Sequence, residues 1–294
     1  MDGGRRAEAR RGFVPALSNA CETSVKSRFP MLRLTPAERL AWREDGFFVR
    51  ERVFGPADLA ELCSAAERAA ALALAAVQRG GESYSVDGNR YCEAGGATVQ
   101  FEHQAGSETI RVIEPFHHLD ARFDALIDDP RLAEPMRDLI GEERIALFTD
   151  KLNLKRPREG SRFGWHQDSP YWAHFCAHLD QLPNAMLALD DAGLHNGCFR
   201  VIRGSHQRGL LPGRQGEGVL GPLFTDPRCF DEADQVPAVV PAGSVVFFSP
   251  HTVHGSEPNR SDSLRRAMIL TYQPGGHRMF RVDAKREIAQ AGWL

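Results

Sequence analysis

The pattern of apolar and polar positions divides the chain into a helix-prone first half and a second half of short β-prone runs. Thr35, Pro36, Ala37 and Glu38 supply a capping hydroxyl, proline at the first helical position and glutamate three residues after the cap. A helix is therefore predicted from there to about Glu44. Gly46 ends it, and Phe47, Phe48 and Val49 read as a strand. A second helix is predicted from near Pro56, with the alanine- and leucine-rich run from Ala57 to Gln78 packed on a sheet. The stretch from Gly80 to Gly106 mixes glycines with polar residues and reads as loop or ragged strand covering a pocket. Asp129 and Pro130 open another helix, which Gly141 closes after Ile140.

Beyond Gly141 the β-prone runs are Ile145 to Leu154, Phe163 to Gln167, Ala185 to Leu189, Phe199 to Ile202, Ser244 to Phe248 and Ala267 to Tyr272. Turn-rich pieces such as His195-Asn196-Gly197 and Pro258 to Asp262 separate them. Helices first and many short strands afterwards predict a mainly β fold with some α, a jelly-roll barrel buttressed by the N-terminal helices. No fixed-period repeat suggests a solenoid.

Composition narrows the function classes. A chain of 294 residues accommodates one large barrel domain, here placed at residues 34–294, after a flexible tail at 1–33. The tail carries Arg5, Arg6, Arg10 and Arg11 without a following apolar run, unlike a secretory signal, and Asp2, Glu8 and Glu22 argue against a transit peptide. A formal net charge of -3 gives no global positive field for a phosphate backbone, so no nucleic-acid partner is expected. No stretch is long and apolar enough to span a bilayer. The six cysteines lack the close pairs of a zinc ribbon and read as free thiols in a reducing cytoplasm. A soluble cytoplasmic protein with a small-molecule substrate is expected, its oligomeric state left open.

Candidate chemistry begins with Trp165-His166-Gln167-Asp168 at the end of a predicted strand. Alternation would put His166 and Asp168 on one face. One imidazole and one carboxylate make two metal ligands. His-x-Asp alone is a weak signal, and a surface hydrogen-bonded pair explains it equally well. The segment from Pro241 to Gly255 supplies a third ligand, from His251 or His254. In an extended segment these two histidines face opposite ways, and Gly255 would let the backbone pass close to a metal, which selects His254. Two histidines and one carboxylate on one side suit a non-haem iron(II) that keeps open positions.

The ordered set of His166-Gln167-Asp168, Asn196 to His206, His254-Gly255-Ser256 and Arg265-Arg266 resembles the phytanoyl-CoA dioxygenase family, from about Leu40 to Tyr272. Arg203 stands where a proline often precedes the Gly-Ser-His. The resemblance implies a double-stranded β-helix of cupin-like type. It also implies iron(II) as cofactor, 2-oxoglutarate as co-substrate, dioxygen, and hydroxylation of an unactivated C–H bond with release of succinate and carbon dioxide. Related halogenases lack the carboxylate ligand, so Asp168 implies hydroxylation.

The distal carboxylate of 2-oxoglutarate requires a cation, and the resemblance places it at Arg265. Alternation would set Arg265, Ala267 and Ile269 on one strand face with Arg266 on the other. Asn153 and Lys155 share a face on the preceding strand. The spacing from Asn153 to His166 is similar to that of ectoine hydroxylase and implies co-substrate contact at Asn153; Lys155 is either a co-substrate contact or an exposed strand charge. Tyr171 and Trp172 are expected at the pocket mouth as a substrate wall, with core packing as the alternative. Two other classes stay in view: a non-catalytic metal-containing jelly-roll binding protein, and a zinc-dependent hydrolase using the same ligands with a bound water.

Overall fold

In the computed structural model, which describes residues 32–289, helix α1 (Pro36–Asp45) starts at a complete capping box between Thr35 and Glu38 and stops at Gly46 in the left-handed conformation. The tail reading for residues 1–33 falls almost wholly outside the described residues, as does Cys21. Strand β1 (Phe47–Arg50) follows, then α2 (Pro56–Gln78). Its buried positions Leu62, Ala65, Ala66, Ala69, Ala70 and Ala73 recur at helical spacing, and their small size lets the helix lie close on the sheet.

The region expected to be loop or ragged strand is a set of regular strands. It forms β2 (Glu82–Val86), β3 (Asn89–Ala94) and β4 (Ala97–Phe101), paired as an antiparallel meander. Three of the glycines that suggested loop sit in two tight turns between these strands, Asp87-Gly88 and Gly95-Gly96, where all four residues have positive φ. That conformation joins twisted strands, so glycine density here marks hairpins.

Next come β5 (Ile110–Glu114), α3 (Ala121–Ile127), α4 (Pro130–Ile140), β6 (Ile145–Lys155), β7 (Phe163–His166) and the short α5 (Ser169–Trp172). The rest is β8 (Asn184–Ala188), β9 (Phe199–Ile202), β10 (Gln235–Pro237), β11 (Val245–Phe248), β12 (His254–Ser256), β13 (Arg265–Pro274) and β14 (Arg286–Glu287). A ten-stranded sheet runs β1-β11-β8-β13-β6-β5-β4-β3-β2, with β14 also on β6, and a four-stranded sheet runs β10-β9-β12-β7. These two sheets form the jelly roll.

Period-two alternation divides the large sheet's side chains between two cores. Leu187, Val245, Phe247, Met268 and Leu270 join the helices, including Leu62 and Met136, in an outer core. Met186, Ala188, Val246, Phe248 and Ala267 point the other way and meet Phe199 and Val201 of the small sheet. On β6 the same parity sends Leu152 and Leu154 outward to the helices. It leaves Lys151, Asn153 and Lys155 facing the inside of the barrel. Among the described residues no helix is long and apolar enough to cross a membrane, and the described cysteines are free thiols.

Candidate active site

His166 closes β7 and His254 opens β12, and the two are register partners across the antiparallel pair. Their rings lie 4.2 Å apart between centroids. Asp168 is not on the strand: β7 stops at His166, and Asp168 occupies a bend with φ -77 and ψ -32. Strand alternation therefore does not explain why the carboxylate joins the imidazoles. The turn does, anchored by the Asp168 and Ser169 amides donating to the Pro250 carbonyl at 3.1 and 3.2 Å. One nitrogen from each histidine and one oxygen from Asp168 lie within 4.8 Å of one another.

The histidines are oriented by their backbone partners. His166 Nδ1 lies 2.7 Å from the Gly164 carbonyl and His254 Nδ1 lies 2.9 Å from the Thr252 carbonyl. A carbonyl only accepts, so each Nδ1 carries the proton and each Nε2 presents its lone pair, the arrangement a metal-binding imidazole needs. Burial, then the neighbouring His254, pushes His166 down to about 3, and burial also lowers His254. Burial acts to raise the Asp168 carboxyl, but Lys151, His254 and His166 outweigh it and hold it below the ordinary carboxylate range. Two neutral imidazoles and an ionised carboxylate thus stand ready to receive a divalent cation.

Asp168 is steered further by Asn184, whose Nδ2 donates to Oδ2 at 3.1 Å, while Asn184 Oδ1 accepts from Thr271 at 2.6 Å. Lys151 Nζ lies 3.5 Å from Asp168 Oδ1. Phe199 and Phe248 pack 5.1 and 5.0 Å from the His254 ring and form a dry wall behind it. Gly255 sits where a Cβ would come within 2.9 Å of the Phe163 carbonyl, so the close pairing of β12 with β7 requires glycine there.

His251 is placed elsewhere. Its Nδ1 is 2.8 Å from Ser169 Oγ and its Nε2 is 2.7 Å from Asp180. A turn from Ser249 to Thr252 separates it from His254, so its direction follows from that turn and not from strand parity.

At the other end of the barrel Arg265 and Lys155 are direct register partners across β13 and β6, with Ala267 opposite Asn153. Arg265 is buried, its Nε has no hydrogen-bond partner, and among the described residues it has no carboxylate partner. Burial pushes its guanidinium down to about 10. Arg266 points to the outer face, where Asp190 and Glu67 bind it at 2.7 and 2.9 Å. Lys155 is fully buried, which excludes the exposed-charge reading. Its Nζ donates to Ser256 Oγ at 2.8 Å and to the Glu257 carbonyl. Ser256 thus belongs to this end of the site, as does Arg111. Arg111 is the extra residue of a bulge between β4 and β5, which re-aims its guanidinium onto the Phe163 ring at 3.9 Å. Neither residue was singled out from sequence. For Ser256 the signal was its period-two spacing from His254; for Arg111 a bulge is invisible to alternation.

Tyr171 lies beside the triad, its ring 6.0 Å from that of His166. Trp172 is not at a pocket mouth. It is 1% exposed and packs on Phe148, Leu182 and Phe280, because the one-turn helix α5 aims successive side chains in different directions. Only its contact with Lys151, 5.5 Å from Nζ to the ring, links it to the site.

The donor set fits iron(II), and the buried Arg265, without a carboxylate partner among the described residues, fits a dicarboxylate that reaches the metal. A zinc-bound water would leave Arg265 unexplained.

The family model described as phytanoyl-CoA dioxygenase matches residues 42–267. A probable alpha-ketoglutarate-dependent hypophosphite dioxygenase of Stutzerimonas stutzeri is 30% identical over 182 residues, which are 60% of this chain and 62% of that protein. The chain thus spans somewhat less than two thirds of that relative's length. An ectoine dioxygenase of Bordetella bronchiseptica is 27% identical over 252 residues, covering 79% of this chain and 73% of the relative. Among solved structures, EctD from S. alaskensis with 2-oxoglutarate and 5-hydroxyectoine superposes with a TM-score of 0.61 at 23% identity, covering 84% of this chain and 78% of the other. That likeness shows the shared fold.

Proposed function

The chain belongs to the phytanoyl-CoA dioxygenase family, and on that premise we propose that it is an iron(II)- and 2-oxoglutarate-dependent dioxygenase. In this reading it hydroxylates an unactivated C–H bond of a small or medium organic molecule, releasing succinate and carbon dioxide. His166, Asp168 and His254 hold iron, while Arg265, Lys155 and Asn153 receive 2-oxoglutarate. The observation that carries the reading is the pairing of two features inside one barrel. Three ligand atoms converge within 4.8 Å, and a buried arginine without a carboxylate partner faces the same interior.

When bound, iron(II) with 2-oxoglutarate and dioxygen supplies the oxidising power for C–H hydroxylation. The protein's part is placement. The two imidazoles and Asp168 would hold the metal with three protein ligands, a number that would leave it able to take up the co-substrate and dioxygen. Arg265 and Lys155 hold the distal carboxylate, which fixes the angle at which the 2-oxo acid end approaches. Asn153, on the same face of β6 as Lys155, would donate to it from its side-chain amide. Phe199 and Phe248 exclude water from one flank. Beside the ligands, Tyr171 and the Lys151 ammonium, 5.8 Å from the Tyr171 ring, would contact a substrate bound next to the metal. Ectoine, named for one relative, is small and polar, which supports a substrate of that size. Neither the binding-protein nor the zinc-hydrolase alternative is favoured, since the relatives carry dioxygenase names.

The test is to supply iron(II) and 2-[1-14C]oxoglutarate and measure labelled carbon dioxide and succinate. Stoichiometric formation of both, absent with zinc, supports the proposal. No consumption of 2-oxoglutarate by iron-loaded protein, across a panel of small polar candidate substrates, refutes it.

A further inference from the structure

The co-substrate end of the barrel holds more basic groups than its partners can neutralise. Lys155 and Arg265 stand opposite each other, a geometry that brings Cβ atoms to about 5 Å. Lys155 is fully buried and Arg265 is 4% exposed. The groups facing Lys155 are Arg265 from β13, Arg111 from β5, Glu102 just after β4, Glu257 just after β12 and the Cys198 thiol just before β9, which burial pushes up and keeps protonated. Neither carboxylate forms an ion pair with it: Glu257 meets Lys155 through its main-chain carbonyl, and Glu102 Oε2 is engaged by Ser161. The Nζ partners are a hydroxyl and a carbonyl, Ser256 Oγ and Glu257 O, which a neutral amine satisfies as well as an ammonium does. Gly197 closes over the amine, since a Cβ there would lie 3.0 Å from Nζ, so little water reaches the nitrogen. Burial, reinforced by Arg265 and Arg111, pushes Lys155 down to about 6. The free site therefore holds an uncharged amine at neutral pH.

Resting on the reading of this site as the 2-oxoglutarate pocket, we propose that 2-oxoglutarate binds together with a proton, which moves from solvent onto Lys155 Nζ as the distal carboxylate settles between Lys155 and Arg265. The balance is simple: a neutral amine, one proton from water or buffer and the dianion become an ammonium paired with a carboxylate. No bond other than N–H forms. A carboxylate at ion-pair distance raises a neighbouring amine by up to about 3 pKa units, and a rise of about 1.5 already carries Lys155 across neutrality. The second cation is thus created by its ligand, and the free pocket avoids the cost of two adjacent buried charges.

Isothermal titration calorimetry of 2-oxoglutarate into iron(II)-loaded enzyme without dioxygen, at pH 7 in buffers of different ionisation enthalpy, counts the protons. The expected result is uptake of between about a half and one proton per ligand. Because binding takes up a proton, affinity should weaken several-fold between pH 7 and 8 as proton activity falls. In Lys155→Met uptake should vanish, affinity should drop by about tenfold or more, and the pH dependence should flatten. Uptake below a half in the wild-type enzyme, or uptake that persists in Lys155→Met, overturns the inference; the wild-type buffer series decides alone if the variant does not fold. Absence of any 2-oxoglutarate binding would instead overturn the proposed function, so the two failures are distinguishable.

Discussion

Arg265 and Arg266 are neighbours in sequence, yet replacing each with alanine should have opposite consequences. Arg265 is buried with its Nε unpartnered, so the free protein already bears the cost of an uncompensated cation. Removing it should leave metal-loaded, ligand-free protein as stable as wild type or more stable. The loss should appear only with 2-oxoglutarate present. A hydrogen bond to a charged group is worth about 1.5 to 3 kcal/mol, so the net loss of one corresponds to roughly ten- to two-hundred-fold weaker co-substrate binding. Arg266 is bound by Asp190 through two nitrogens, at 3.0 and 2.7 Å, and by the more exposed Glu67 at 2.9 Å. Breaking the largely buried Asp190 pair should cost about 2 to 3 kcal/mol, below the range for fully buried pairs, with little from Glu67. In a domain of this size that lowers Tm by roughly 4 to 10 °C. Arg266→Ala should keep its 2-oxoglutarate affinity. Thermal melts with and without co-substrate, alongside titrations of both variants, separate the two patterns. A destabilised Arg265→Ala that binds 2-oxoglutarate normally, or an Arg266→Ala that loses the co-substrate, would refute the assignment of faces on β13.

Three further outcomes follow from the same geometry. His166→Ala, Asp168→Ala and His254→Ala should each lose iron by metal analysis while remaining folded by circular dichroism, whereas His251→Ala, tied to Ser169 and Asp180, should retain most of it. With chloride present, mass spectrometry should find a hydroxylated product and no chlorinated one, because Asp168 occupies the position a halide would need; a chlorinated main product overturns this. His117 pairs with the buried Asp150 at 2.7 Å, and although burial works to lower it, Asp150 holds it above its ordinary value. The stability this pair contributes should be complete below about pH 6.5 and lost as pH rises through the folded-state value. Asp150→Asn should abolish that part of the pH dependence in denaturant titrations.

Much of the architecture could be read from local chemistry alone. The capping box at Thr35, the glycines that end α1 and α4, the alanine face of α2 and the β-prone runs after Gly141 are short-range signals, and short-range physics acts the same in the folded chain. The resemblance singled out Arg265, and parity on β13 put it on the opposite face from Arg266 before any partner was known. Tertiary structure decided what depends on register between distant segments. The pairing of Lys155 with Arg265 and Ser256, the Asn184 bridge to Asp168 and the burial of Trp172 each join residues that no local period relates. Two departures from regularity carried chemistry that alternation could not express, the turn that swings Asp168 to the histidines and the bulge that turns Arg111 inward. Alternation predicts sides of a strand only while the strand continues, and the site is built where strands end or slip.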